Sequence, residues 1–458
     1  MSAPLKDALQ AARRRLEEHP GSPDAMFNLA YYLGKDGQFQ AAIEAYRKAL
    51  KMGVSAPEEA QLNIANIYMD HLHDHDKAIR HFHQARSLNP RYAPVYHNLG
   101  NLAEQLGDRV KAARYFEKCL QLQPDNERAL ARLADTHRFK QGNDPLLNRL
   151  KVAALTSASS DLQFSLGRAY DQLGDHGLAW QHYSYANALD ARRFPAYQPE
   201  KTASLFDRIA RACDTDWVDR FDGESSSSVF ICGMFRTGST LLEQILAAHP
   251  SFTAGGESEF FPRLLAGQLR GYPESLATVT TENAATWRSE HEALARRITG
   301  GHARLTDKRP DNFLYAGLIK AVLPSAKFIV TERDWRDVAV SIFGTRLGPR
   351  QNYATRLEHI HHYIQLQRRL VDHWEAVLGE DLVRVSYEEL VRQPQETVAR
   401  LLHWLGEEWD ERCLRFHQQE GAVRTASVWQ VREPLHARSI QRWRNYREPL
   451  AKAFGEQG

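Results

Sequence analysis

The chain has 458 residues, and its 59 Lys and Arg nearly balance its 57 Asp and Glu, so the formal net charge is +2. This length predicts roughly two to four domains, and a hydrophobic content of 43% with 25% charged residues is typical of globular proteins with full cores. The near-neutral charge excludes a generally basic nucleic-acid-binding protein, so any anion site must be local.

The sequence also carries no sign of export, membrane insertion or zinc-finger spacing. Its first residues have no apolar core of signal-peptide length, and no stretch reaches the roughly 20 apolar residues of a membrane span. The four cysteines form no CxxC pair and lie far from zinc-finger histidine spacing. We therefore expect a cytoplasmic protein with no membrane partner and no nucleic-acid partner.

The first two hundred residues repeat. An Asn-apolar-small triplet begins at Asn28, Asn63 and Asn98, 35 residues apart. Each triplet is followed by an aromatic residue with a small residue three positions later: Tyr46 and Ala49, Phe82 and Ala85, Phe116 and Cys119. The pattern resembles the tetratricopeptide repeat, with weaker copies near residues 126–137 and 162–189. The resemblance implies paired helices that present a binding surface and carry no chemistry.

The repeat pattern divides the chain. We assign residues 1–195 to an all-α repeat solenoid, 196–228 to a bridging segment and 229–458 to a second domain. One loop inside the repeats contains His71, His73 and His75. These are metal-ligand types, but alternating residues in a loop seldom converge on one ion, so a solvated loop between helices is favoured over a metal site.

A phosphate site is predicted at the start of the second domain. The apolar run 229–232 predicts a buried strand, which leads through Gly233-Met-Phe-Arg-Thr-Gly-Ser-Thr240 into an apolar helix. Loop N–H groups and a helix N-terminus can together bind one phosphate. The spacing is that of G-x-x-x-x-G-K-[ST], but Ser239 replaces the lysine. We therefore expect no ATPase or GTPase chemistry; the site suits a terminal 5′-phosphate, with Arg236 adding charge.

A second phosphate site is predicted about a hundred residues later. The strand pattern at 327–331 is followed by Arg333, and Ser341 lies eight residues further on, inside a helix. Both side chains could reach a single phosphate. An Arg-Asp cluster alone is usually a solvated helix start. Together with the first loop, however, it indicates a nucleotide with phosphates at two positions.

These two motifs resemble the 5′- and 3′-phosphate motifs of sulfotransferases that use 3′-phosphoadenosine-5′-phosphosulfate (PAPS), and they are similar in kind to those of the tyrosylprotein sulfotransferases. The resemblance implies an α/β, P-loop-like domain with a central parallel sheet. It implies that the 3′-phosphate is held by Arg333 and Ser341. It further implies two sets of residues that contact PAPS. The set around the 5′-phosphosulfate end lies in the loop and consists of Arg236, Thr237, Gly238, Ser239 and Thr240. The C-terminal set consists of Tyr387, Arg424 and Arg442.

Sulfuryl transfer needs a base for the acceptor hydroxyl, a cation at the leaving oxygen and donors to the equatorial oxygens. The resemblance implies Glu257 as the base, from a Gly-Glu step typical of the family, with Glu259 as a rival. It implies Lys308 as the cation. Ser427, or alternatively Thr425, is implied as the donor to the sulfuryl oxygens.

The function implied is a PAPS-dependent sulfotransferase that releases adenosine 3′,5′-bisphosphate and needs no divalent metal. The acceptor stays open, because a tyrosine in a peptide recruited by the repeats, a sugar hydroxyl and a small phenol need the same donor site. A P-loop kinase is a different class, disfavoured by the missing lysine and magnesium motif. A non-catalytic scaffold is disfavoured by the presence of Glu257 and Lys308.

Overall fold

The computed structural model describes residues 3–72, 74–225, 227–419 and 428–455. The chain divides into two compact units. The first consists of the residues up to 139 together with 143–153, and the second of 140–142 and the residues from 154 onward. Over the described part of the chain, no helix combines the length and apolar character needed to cross a membrane.

The first unit is helical. Its helices are α1 (Ala3–Glu18), α2 (Pro23–Lys35), α3 (Phe39–Lys51), α4 (Pro57–Asp70), α5 (His75–Leu88), α6 (Ala93–Gln105), α7 (Arg109–Leu122), α8 (Glu127–Thr136) and α9 (Pro145–Thr156), the last ending at the border of the unit. Helices α2 and α3, α4 and α5, and α6 and α7 pack as pairs. The predicted repeat architecture is confirmed.

The repeat signature residues form the contacts inside these pairs. The aromatic residues Tyr46, Phe82 and Phe116 are buried, as are the small residues that follow them. At Gly100 a Cβ atom would lie 2.5 Å from the ring of Phe116, so the aromatic side chain packs directly on the backbone of α6. Close helix packing is therefore the physical reason for the small-plus-aromatic spacing.

The histidine-containing loop makes packing and capping contacts. The His71 ring stacks on Phe39 with centroids 4.1 Å apart. The Asp74 carboxylate accepts from the Lys77 backbone N–H at 2.9 Å and so caps α5. His73 lies outside the described residues. Among the residues that are described, no group of three or more His, Cys, Asp or Glu could hold a metal ion.

The second unit alternates strands and helices. Its elements are α10 (Ser160–Gln172), α11 (His176–Ala191), α12 (Pro199–Ala212), α13 (Thr215–Val218), β1 (Val229–Gly233), α14 (Ser239–Ala247), β2 (Phe252–Ala254), α15 (Phe260–Gly267), α16 (Thr281–Thr299), β3 (Arg304–Asp307), α17 (Ala316–Val322), β4 (Lys327–Glu332), α18 (Trp335–Phe343), α19 (Leu357–Leu378), β5 (Leu382–Ser386), α20 (Tyr387–Arg392), α21 (Pro394–Trp404) and α22 (Arg447–Phe454). The division at residues 195 and 228 stays a prediction, but the repeat-type pair α10 and α11 belongs to this second unit.

In the described part of the chain, five strands form one parallel sheet in the order β2-β3-β1-β4-β5. Strand β1 is buried on both faces: Phe230 and Cys232 join one core, and Val229 and Ile231 join another. The predicted α/β domain with a central parallel sheet is confirmed. After β1 the chain forms β2 and β3 on one side of this strand and then β4 and β5 on the other. In open parallel sheets, such a change of side is where a crevice forms at the carboxyl ends of the strands.

The last residue of β1, Gly233, occupies a position where a larger residue would not fit. The φ of Gly233 is 142°, and a Cβ atom would lie 2.5 Å from the Thr331 carbonyl oxygen of β4. Glycine adopts this backbone conformation without strain. The close approach of β4 therefore sets where the strand stops and the following loop begins.

We expect Gly233→Ala to destabilise the chain by at least about 2 kcal/mol, because it combines a positive φ with a backbone clash. Gly267→Ala is the matched control, since nothing lies within 4 Å of its Cβ position at the end of α15. It should be neutral or stabilise by up to about 1 kcal/mol. Denaturant unfolding followed by circular dichroism measures both, and equal stability of the two variants would contradict the packing argument.

Candidate active site

The sequence-predicted site residues follow the carboxyl ends of the strands. In a parallel sheet these ends share one edge, so residues far apart in sequence meet there. Residues directly after β3, β4 and β5, the loop after β1, and a residue three positions after β2 all lie at this edge: Lys308, Arg333, Tyr387, the segment 234–238 and Glu257.

The loop after β1 is held in shape by strand β4. The Thr237 hydroxyl lies 2.7 Å from both the Met234 carbonyl oxygen and the Thr331 hydroxyl. Arg236 and Gly238 both have left-handed backbones, with φ of 72° and 98°. Thr237, predicted from the sequence to contact PAPS, therefore uses its side chain to fix the loop. The chain then enters α14 at Ser239 and Thr240, which are both buried.

Arg236 links the two predicted phosphate motifs. Its Nε donates to the Ser341 hydroxyl at 3.0 Å, and its Nη2 donates to Gln430 Oε1 at 3.3 Å. Its carbonyl oxygen accepts from Arg333 Nη1 at 3.0 Å. The guanidinium predicted for the 5′-phosphate thus lies beside the serine predicted for the 3′-phosphate.

Arg333 occupies a largely enclosed position. Its side chain is 7% exposed and lies 3.8 Å from the carboxylate of Asp337. Its guanidinium carbon lies 4.7 Å from the ring centroid of Tyr387, a cation–π distance. Tyr387 in turn packs on the backbone of Gly238, where a Cβ would lie 2.7 Å from the ring. The residues that follow β4 and β5 therefore cover one side of the loop after β1.

The local electrostatic potential is positive. Burial, and then the charges of Arg333, Arg442 and Arg168, lower the pKa of Arg236 to about 10. Like charges disfavour the protonated guanidinium, and a bound anion would remove that penalty. Arg168 lies on α10, in the repeat-type region, and no sequence signal marked it as a site residue.

Two predicted residues and one alternative cannot be placed. Arg424, Ser427 and Thr425 lie outside the described residues. Arg442 is described, and its Nη2 donates to the Asp171 carboxylate at 2.7 Å.

The candidate base and cation meet directly. Lys308 Nζ donates to Glu257 Oε1 at 2.7 Å. The lysine side chain is 2% exposed, whereas that of the glutamate is 39% exposed. The rival Glu259 instead accepts a hydrogen bond from Arg309, whose Nε donates to the Ser258 carbonyl oxygen at 3.0 Å. The two acidic residues therefore have different cationic partners.

Sequence reasoning missed a third acidic residue, Glu243 on α14. Its Oε1 accepts from the Gly256 N–H at 2.9 Å and from the Thr306 hydroxyl at 3.3 Å. The carbonyl oxygen of the same Gly256 accepts from the Lys308 N–H at 2.8 Å. Glu243 thus helps to fix the peptide that precedes Glu257. The available signal was an acid within an otherwise apolar helix.

Two buried carboxyl groups near Lys308 have raised pKa values. Burial raises the pKa of Glu243 to about 7, although Lys308 acts in the opposite direction. Burial also raises the pKa of Asp307, the last residue of β3, to about 7, with Asn312 opposing through a 3.0 Å hydrogen bond. Near neutral pH, these carboxyl groups change charge beside Lys308, and Asp307 does so beside Arg309 as well.

Comparison with known proteins confirms both resemblances. Residues 228–411 match the model of the sulfotransferase family, and residues 5–59 and 58–125 match tetratricopeptide repeat models. The chain therefore carries a sulfotransferase-family domain after tetratricopeptide repeats.

Among relatives, an uncharacterized protein of Aquifex aeolicus is 25% identical over 386 residues, which cover 80% of this chain and 50% of that protein. Protein-tyrosine sulfotransferase A of Caenorhabditis elegans is 27% identical over 243 residues, covering 48% of this chain and 63% of the relative. Each match thus spans less than two thirds of the relative's length. A solved sulfotransferase domain from the Synechococcus PCC 7002 olefin synthase aligns at 21% identity over 49% of this chain and 89% of its own, with a TM-score of 0.38.

We expect Glu243→Gln to change how stability depends on pH. Because the pKa of Glu243 is raised in the folded chain, the folded state keeps a proton between about pH 4.5 and 7 that the unfolded state has lost, so stability falls as pH rises through this window. Glutamine keeps the acceptor for the Gly256 N–H but cannot titrate. The loss of stability from pH 5 to 7 should shrink by roughly 2 kcal/mol.

Denaturant unfolding at several pH values measures this dependence. Asp307→Asn should reduce the remaining slope in the same direction, because Asp307 titrates in the same window. A slope identical to wild type in Glu243→Gln would mean that Glu243 is already ionised at pH 5.

Proposed function

We propose that the chain is a sulfotransferase that takes a sulfuryl group from PAPS, passes it to an acceptor hydroxyl and releases adenosine 3′,5′-bisphosphate. The observation that carries the proposal is the meeting of two phosphate motifs and a Lys308–Glu257 pair at one sheet edge. The match of residues 228–411 to the sulfotransferase family supports it.

The positive charge suits a donor with two separate phosphate positions. Arg236 and Arg333 join the loop after β1 to the helix that carries Ser341. Arginine recognises phosphate oxygens with paired, charge-assisted hydrogen bonds. Ser239 stands where a nucleoside triphosphatase has its phosphate-binding lysine, so a single 5′-phosphate is a better ligand than a triphosphate.

The reaction is an in-line displacement at sulfur. The acceptor oxygen forms a new bond to sulfur, the bond from sulfur to the bridging oxygen of the donor breaks, and adenosine 3′,5′-bisphosphate leaves. Glu257 takes the proton of the acceptor hydroxyl. Lys308 stabilises the negative charge that develops on the leaving oxygen. The 2.7 Å contact between them supports roles at one reaction centre.

The proposed acceptor is a tyrosine hydroxyl in a peptide or protein. Several relatives are named protein-tyrosine sulfotransferases, including those of Caenorhabditis elegans and Drosophila melanogaster. The tetratricopeptide repeats supply a helical surface that can bind a peptide or protein. The repeats would therefore recruit the acceptor, and the second unit would carry the chemistry.

Nucleotide binding tests the donor assignment. Adenosine 3′,5′-bisphosphate should raise the melting temperature. At a concentration 100 times its Kd, binding should increase the free energy of unfolding by about 2.7 kcal/mol. ATP with magnesium should stabilise far less, because the phosphate loop lacks its lysine. Thermal unfolding at matched nucleotide concentrations measures the difference. Equal or greater stabilisation by ATP would favour a kinase.

Exchanging each acid for its amide tests the base. Glu257→Gln keeps the hydrogen bond from Lys308 but removes the basicity, so kcat for a tyrosine-containing peptide should fall about 100- to 10,000-fold. The Kd for adenosine 3′,5′-bisphosphate should stay nearly unchanged, because Glu257 acts on the acceptor.

Glu259→Gln is the matched control, two residues away and paired with Arg309. It should lower kcat far less than Glu257→Gln, as measured with radiolabelled PAPS. The reverse order, with Glu259→Gln inactive and Glu257→Gln active, would assign the base to Glu259.

A further inference from the structure

Two helices of repeat-type sequence, α10 and α11, are built into the core of the second unit. Phe164 and Tyr183 from this pair share a buried cluster with Met234 of the phosphate loop and with residues of α18. Asn187 Nδ2 donates to the Phe343 carbonyl oxygen at 2.8 Å. The pair therefore packs against the elements that carry both phosphate motifs.

The end of α10 carries an acid that binds the C-terminal segment. One carboxylate oxygen of Asp171 accepts from Arg442 Nη2 at 2.7 Å, and the other accepts from the Tyr446 hydroxyl. His176 Nδ1 lies 3.4 Å from the second of these oxygens. Although burial acts in the opposite direction, Asp171 raises the pKa of Arg442. Asp171 thus pairs with the charge of this arginine and fixes its side chain.

A second aspartate fixes the backbone of the same segment. Asp337 on α18 accepts from the Gln441 N–H at 2.7 Å and from the Trp443 N–H at 2.8 Å. Gln441 has a left-handed backbone, with φ of 58°. Both neighbours of Arg442 are therefore tied to α18 while its side chain is tied to α10. These two anchors together set the direction of Arg442.

Several arginines in this region act on one another through their charges. Asp171 pairs with Arg442 and Asp337 lies 3.8 Å from Arg333, while burial and then the charges of the neighbouring arginines lower the pKa of Arg236. Arg168 lies three residues before Asp171 on α10, so it shares the helix face that contacts Arg442, and its positive charge is one of those that lower the pKa of Arg236. A phosphate group with up to two negative charges would offset these positive charges.

We propose that α10 forms one wall of the donor site, where Asp171 is a positioning residue that orients Arg442 toward the 3′-phosphate and Arg168 is a further cation at that phosphate. The inference rests on the proposed function, because it takes the ligand to be a 3′-phosphorylated adenosine nucleotide. It gives a repeat-type helix a part in nucleotide binding.

The test is Asp171→Asn in the full chain, with calorimetric binding of adenosine 3′,5′-bisphosphate and of adenosine 5′-monophosphate. Asparagine keeps the size and one acceptor oxygen but removes the charge that orients Arg442. We expect the Kd for the bisphosphate to rise about 10-fold and that for the monophosphate to rise less than about 2-fold. A purely structural role would weaken both nucleotides by the same factor and would overturn the inference.

Asp161→Asn is the matched control. Asp161 lies ten residues before Asp171 on the same helix and pairs with a different arginine, Arg346, at 3.1 Å. It should leave both dissociation constants unchanged, and a bisphosphate-selective loss in this variant would contradict the role assigned to Asp171.

Arg168→Gln is a second variant that tests the same wall without removing the Asp171 contacts, should Asp171→Asn fail to fold. It should weaken the bisphosphate about 5-fold and spare the monophosphate, since a charge at the 3′-phosphate is lost. Unchanged bisphosphate affinity in this variant overturns the inference and leaves the proposed function standing. A wild-type chain that binds neither nucleotide contradicts the proposed function, and the inference with it.

Discussion

The parallel direction of the five described strands is the constraint on which the site depends. Because all five point the same way, the residues that follow them meet at one edge, and the central position of β1 opens a crevice there. Two features hold the loop after β1 in shape: Gly233 lets β4 approach, and the Thr237 hydroxyl joins the loop to Thr331 near the end of β4. The shape of the proposed anion site thus depends on strand order.

Charge burial is the second organising feature. Lys308 is almost fully enclosed, and it is accompanied by the partly exposed Glu257 and by Glu243 and Asp307, which burial makes weaker acids. A buried ammonium without carboxylate partners would carry a large desolvation cost. Around Ser341, Arg236 and Arg333 lie close together, with the carboxylate of Asp337 adjacent to Arg333, so that region favours an anion. The two regions therefore differ in charge balance.

One sequence pattern has two structural uses in this chain. In the first unit, Gly100 receives the ring of Phe116, and in the second unit Gly167 receives the ring of Tyr183 in the same way. The surroundings differ, because the α10 and α11 pair packs on the phosphate loop and α18. A repeat-type helix pair can therefore form part of the core of an α/β unit, because the glycine-to-aromatic contact lies between its own two helices and leaves their other faces free to pack elsewhere.

The sequence by itself determined the repeat architecture, the α/β class of the second domain and the place of most candidate residues. Local patterns suffice for Arg333, which follows the strand pattern at 327–331, whereas β3 before Lys308 reads Arg-Leu-Thr-Asp, and only the family resemblance marked that lysine. Only the tertiary structure decided which acid meets Lys308, that Glu243 holds the peptide before Glu257, and that Arg236 reaches Ser341.

The contact between Asp171 and Arg442 joins residues 271 positions apart. Such pairings depend on how helices pack across the sheet and on which face each side chain occupies. Packing of this kind is set by the whole core, and spacing along the chain carries no record of it.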